Sequence, residues 1–113
     1  MEWKESFKEG KELVLATSSI EGKPNANIVI SLGFIDDKLL IADCHMSNTI
    51  RNIKENNDVC IIGGYFRIRG TAEVFGSGNY FDMCSKILSK QDSSLKMKNA
   101  IVVTVNESNG LDG

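Results

Sequence analysis

Short β-type runs divided by turn residues constrain this chain more than any other feature. Leu13–Thr17 (LVLAT), Asn25–Ile35 (NANIVISLGFI), Lys38–Asp43 (KLLIAD), the two arms of DVCIIGGYFRIRGTAEVFG (residues 58–76) and Ala100–Val105 (AIVVTV) each read as a strand. Gly22 with Pro24, Asp36-Asp37 and Gly63-Gly64 supply the turns between them. Gly33 inside the second run marks a bulge or a close approach. The arm after Gly63-Gly64 alternates Phe66, Ile68 and Gly70 against Arg67, Arg69 and Thr71, one face in and one out. Helical spacing occurs in three places. Trp3 and Phe7 stand four apart in a segment that ends at Gly10, and Ile50 and Ile53 share a face over about residues 48–56. Tyr80, Phe81, Cys84, Ile87 and Leu88 form one apolar stripe, with Ser77 or Asn79 as its expected cap. Six strands with helices only at the start, middle and near the end predict a mainly β chain folded as a six-stranded antiparallel barrel with a few short helices as plugs.

At 113 residues the expectation is one domain over 1–113, with a loose polar tail at about 107–113. A formal net charge of −2 argues against nucleic acid, whose binders carry a basic balance or stripe. Runs such as Ile28-Val29-Ile30 are too short to span a bilayer, so no membrane partner is expected. The opening MEWKESFKEG has no apolar core of the kind a signal peptide needs, and three scattered cysteines make no disulfide framework. Both point to a cytoplasmic protein.

The chemistry concentrates in CHMSNTIRNI, residues 44–53, where a strand gives way to a helix. Asp43, Cys44 and His45 are adjacent, so their side chains diverge at a strand end, and no paired Cys or His spacing announces a metal. None is expected. Cys44 beside the single histidine, His45, is the one candidate for a thiol nucleophile, whereas Cys60 and Cys84 read as small core residues. Ser47, Asn48 and Thr49 fall where a helix begins, and its unpaired N–H groups and dipole suit a phosphate. The same residues also suit plain capping by Ser47. Arg67 and Arg69 fit either a solvated face or contact with an anion or a partner subunit.

Four blocks in order carry a resemblance: Gly22-x-Pro24-Asn25; Asp37-x-Leu39-Leu40-Ile41-x-Asp43; Met46-x-x-Thr49-x-x-Asn52-Ile53; and Gly70-Thr71-Ala72-Glu73. From about Leu13 to Val105 the chain resembles the FMN-binding split-barrel family related to pyridoxamine 5′-phosphate oxidase, above all its small FMN-binding proteins. The resemblance implies a split β-barrel that binds FMN as cofactor, a homodimer with FMN sites at the subunit interface, and flavin-dependent oxidoreductase chemistry on an unassigned substrate. It places Ile28, Val29 and Ile30 along the flavin ring, Asp43, Cys44 and His45 lining it, and Met46, Ser47, Asn48 and Thr49 at the phosphate. Many family members carry lysine where this chain has Asn48, which leaves Arg51, Arg67, Arg69 or a protonated His45 to supply the charge. The oxidases themselves use a further C-terminal basic segment for pyridoxamine phosphate, so that particular activity is not expected of a sequence ending NESNGLDG. The alternatives are a deazaflavin- or haem-binding member of the same fold, with His45 as the haem ligand, or a small barrel that binds without a cofactor.

Overall fold

A computed structural model describes residues 3–112. A 3-10 helix, Trp3–Phe7, leads into β1 (Glu12–Ser18), β2 (Pro24–Ile35), β3 (Lys38–Asp43), α1 (Ser47–Glu55), β4 (Asp58–Gly63), β5 (Phe66–Phe75), α2 (Asn79–Gln91) and β6 (Asn99–Gly110). The strands close an antiparallel barrel in the order β1-β2-β3-β6-β5-β4. The expected six-stranded barrel with short helices is therefore the observed fold.

A tight turn and a bulge set the register of β2 against β3. Ile35 pairs with Lys38 across Asp36-Asp37, and both aspartates have positive φ (54° and 62°), the backbone of a two-residue hairpin turn that follows the strand twist. Gly33, at φ 91°, sits in the register shift between Ser31 and Phe34, so the glycine does mark a bulge.

Alternation sorts the side chains. Leu13, Leu15, Val29, Leu39, Ile41, Ile61, Ile68, Ile101 and Val103 point into the barrel. Phe7 fills it from the 3-10 helix at the end where β1 begins, and Ile50 and Ile53 of α1 fill it from the opposite end. The other face of β2, β3 and β6 (Leu32, Leu40, Ala100 and Val102) is covered by Cys84 and Leu88 of α2. Beneath α2 both faces of the sheet are thus dry, which explains runs such as AIVV that do not alternate. Elsewhere the outer face lies open: Val14 pairs with Ile28 on one side and Ile62 on the other, and Ile28 is 69% exposed.

Three local expectations change. The polar tail does not hang loose, because β6 runs on to Gly110 and pairs Glu107, Ser108, Asn109 and Gly110 with Arg69, Ile68, Arg67 and Phe66. The first half of β5 otherwise presents unpaired backbone, and Arg69 meets Glu107 at 3.1 Å across that ladder. Gly113 lies outside the described residues. The residue before α1 is Met46, not Ser47, and that before α2 is Gly78, not Ser77 or Asn79; neither helix start carries a side-chain cap bond. No helix among the described residues is long and apolar enough to cross a membrane.

Candidate functional site

The start of α1 is clamped from two sides. On one, Asp43 is buried and its carboxylate accepts two hydrogen bonds, from the Met46 N–H at 2.7 Å and from Asn99 Nδ2 at 2.8 Å. It ties the β3–α1 loop to β6 and fixes where the helix begins. On the other, Thr49 is 1% exposed, and its hydroxyl donates to Asn27 Oδ1 and accepts from Asn25 Nδ2 at 3.2 Å. One turn further on, Asn52 Nδ2 donates to Thr17 Oγ1 at 3.1 Å. Polar residues of β1 and β2 therefore seat the buried side of α1, leaving Ser47, Asn48 and Arg51 exposed on its outer side. There the Arg51 guanidinium donates to Asn48 Oδ1. Arg51 lies between two surface depressions, one with Lys23, Asn25 and Asn48 and the other with His45, Ser47 and Lys98. The first-turn N–H groups of α1 have no carbonyl one turn earlier to receive them, and no side chain caps them.

A groove of about 550 Å³ begins beside this helix start. Ile28, Val29 and Ile30 of β2 line it along one side, with Ala42, Cys44, His45 and Met46 on another. Leu88, Gln91, Asp92 and Leu95, from the end of α2 and the loop after it, make a further wall. Val29 turns its side chain into the barrel core, so it meets the groove through its backbone, while Ile28 and Ile30 are exposed. Such a slot, apolar in its floor and bordered by a few polar groups, suits a planar aromatic ring.

The sequence-derived residues thus divide by place. Ile28, Val29, Ile30, Cys44, His45 and Met46 come together in the groove, and Ser47, Asn48 and the backbone of Thr49 meet at the helix start beside it. Asp43 lies behind the loop as its anchor. Arg69 stands with Glu107 in a separate depression walled by β1, β4 and β6, and Arg67 pairs with Ile62 on the open sheet face. The α2 wall is the part that sequence reasoning missed; Leu95, one of two apolar residues with Met97 in the polar run QDSSLKMKN, was the available signal.

Neither cysteine near α2 is primed for attack. Burial raises the Cys44 thiol above its ordinary value, with the charges of Asp43 and Asp92 adding to it. Burial alone pushes Cys84 up to about 11. At neutral pH both are thiols, the unreactive form. Among the described residues no group of three or more His, Cys, Asp or Glu side chains is placed to hold a metal ion.

Comparison with known proteins agrees with this architecture. The family model described as pyridoxamine 5′-phosphate oxidase matches residues 2–112. An uncharacterised protein of Methanocaldococcus jannaschii is 29% identical over 107 residues, spanning 88% of this chain and 72% of its own. Among solved structures, a variant of HupZ from Group A Streptococcus superposes with a TM-score of 0.81 at 19% identity, covering 93% of each chain. An FMN-binding protein from Syntrophomonas wolfei gives 0.73 at 19% identity over 94% of this chain and 79% of that one. The haem storage protein HutZ from Vibrio cholerae gives 0.75 at 16% identity over 95% and 90%. At these identities the structural matches speak for the fold, and the family model for descent: the chain belongs to the pyridoxamine 5′-phosphate oxidase family of FMN-binding split barrels.

Proposed function

We propose that this chain binds FMN and serves as a flavin-dependent oxidoreductase of the pyridoxamine 5′-phosphate oxidase-like class, working in the cytoplasm as a homodimer. The observation that carries the reading is the continuity of the site: the apolar groove of Ile28–Ile30 and Cys44–Met46 ends at the helix start bearing Ser47, Asn48 and Arg51. A molecule with a flat apolar ring at one end and a phosphate at the other matches both parts. In this reading Ile28 and Ile30 flank the ring, and backbone groups of Val29 and of the Cys44–Met46 loop meet its polar edge. Ser47 and Asn48, with the N–H groups of the first turn including that of Thr49, hold the phosphate. Arg51, kept beside Asn48, provides the positive charge that a lysine brings in many relatives. FMN, when bound, supplies the electron-transfer chemistry, while the chain binds, orients and shields it. The open face around Val14, Ile28 and Ile62 is where a second copy seats, which would also cover the exposed isoleucines of β2.

A second reading is haem, favoured by one feature: His45, the single histidine, is exposed and lines the groove. Purified chain decides between them. The flavin reading expects a yellow protein that on denaturation releases fluorescent flavin in near one-to-one ratio, or cofactor-free chain that takes up added FMN to that ratio. Colourless protein that binds no FMN rejects the reading, and a Soret band lost in His45→Ala transfers it to haem. Light scattering checks the dimer; a stable monomer with full flavin content rejects the interface.

A further inference from the structure

The wall that α2 lends to the groove carries a charge. Asp92 is the one carboxylate among the lining residues, and no lysine or arginine stands with it. The nearby cations do not line it: Lys90 stands exposed in the last turn of α2, Arg51, Lys54 and Lys98 line the adjoining depression, and Lys23 lies beyond α1. Asp92 also ends α2, its N–H donating to the Leu88 carbonyl at 2.8 Å, so it sits among the last carbonyls of the helix, the negative end of the dipole. The carboxylate is held in place, with Oδ1 accepting from the Ser94 N–H at 3.0 Å and from Ser94 Oγ at 2.6 Å. Those bonds keep it below the usual carboxylate range, and it is ionised at neutral pH. Its field reaches the groove, since after burial and the charge of Asp43 it adds to what raises the Cys44 thiol.

We propose that the groove selects the redox partner that joins the bound ring by charge, accepting neutral or cationic molecules and rejecting anions, and that Asp92 is the residue that determines this. The inference rests on the FMN reading. Asp92 acts on the approaching partner through space, and the end of α2 adds to its sign. Asp92 is solvent-exposed, so a like charge within about 10 Å weakens binding of a monoanion only about two- to fourfold at low salt. The effect shrinks as salt shortens the screening length.

The test uses FMN-loaded chain and two probes with the same ring, 1,4-naphthoquinone and its 2-sulfonate. Their equilibrium binding is followed by the change in bound-flavin fluorescence, with no turnover required. The neutral probe is expected to bind about two- to fourfold more tightly than the sulfonate at low salt, and the difference to shrink as salt is added. Asp92→Asn should bring the two affinities close to equal, and Asp92→Glu, which keeps the charge, should retain the difference. Asp82→Asn, on the exposed side of α2, removes the same net charge from the protein and should leave the ratio unchanged. Equal affinities in the parent protein, or a ratio that Asp92→Asn does not move, would overturn the proposal. Failure of the FMN reading is separately visible, because the chain would then take up no FMN before any probe is added.

Discussion

Thr49→Val isolates the polar seat of α1. The substitution keeps the branched shape and removes only the hydroxyl, which in the native chain donates to Asn27 and accepts from Asn25 at 3.2 Å. Asn27 Oδ1 keeps a partner, because Asn25 Nδ2 also reaches it at 3.1 Å. With each neutral hydrogen bond worth about 1 kcal/mol, the loss is about 1–2 kcal/mol. For a domain of this size that corresponds to a fall in Tm of roughly 5–10 °C. Urea unfolding followed by fluorescence of Trp3, the single tryptophan, which packs edge-on against Phe7 and Phe34, provides the measurement. Asn27→Ala made alone and together with Thr49→Val completes a cycle, and a coupling of about 1 kcal/mol is expected for groups in direct contact. Thr49→Ser keeps the hydroxyl and should retain most of the stability. A Thr49→Val protein as stable as the parent, or two changes that simply add, would refute the seat as described. The same variants separate two roles at the phosphate: a hydroxyl engaged with Asn27 has no proton left for a ligand. Thr49→Val should therefore weaken FMN and riboflavin binding by similar factors, whereas loss of a direct phosphate contact would weaken FMN alone.

Arg51→Ala should weaken FMN binding about tenfold while leaving riboflavin binding unchanged, and should flatten the salt dependence of FMN affinity; titration of both flavins at two salt concentrations reads this out. Gly70→Ala should destabilise the barrel by about 1–3 kcal/mol in urea unfolding. A Cβ there would lie 2.3 Å from the Thr104 carbonyl oxygen and 3.0 Å from Val103 Cγ1, and β6 cannot retreat without opening the β5–β6 ladder. Alkylation by iodoacetamide, followed by mass spectrometry, should be slow at Cys44 at neutral pH. Its rate should still be climbing above pH 9, since a raised thiol pKa delays the thiolate to higher pH. Cys84 should stay unmodified in the folded chain until the pH approaches about 11.

Much of the barrel was legible because its strands bury one or both faces, and burial writes itself into sequence as alternation or as an unbroken apolar run. Leu39 and Ile41 against Leu40 is such a case, the first two in the core and the third beneath α2. Residues 107–110 were illegible for the converse reason. They are held by backbone bonds to β5 and by Arg69–Glu107, and a mostly solvent-facing polar strand shows no hydrophobic period. The helix starts misled because Ser47 is a common cap type, yet here Asp43, three residues before Met46, reaches forward to the Met46 N–H. Within the site, the β2 and α1 parts lie on short stretches with marked composition. The α2 wall does not: Leu88 to Leu95 meets Ile28 and Ile30 only because α2 lies across β2, β3 and β6.

The seam between β3 and β6 has a consequence for the order of assembly. Its pairs run from Asp43 with Asn99 to Lys38 with Thr104, sequence separations of 56 and 66, wider than the pairing of Val14 with Ile62 that joins β1 to β4. Contacts so remote carry a large loop-closure cost and a high contact order. The groove straddles this seam, drawing its loop from the end of β3 and its far wall from the segment that leads into β6. A chain in which the seam is still open therefore offers no slot, and a ligand that fills the slot recognises the finished barrel alone. Added ligand should then slow unfolding and leave the refolding rate where it was, making the ligand a latch on the native state and no template for reaching it.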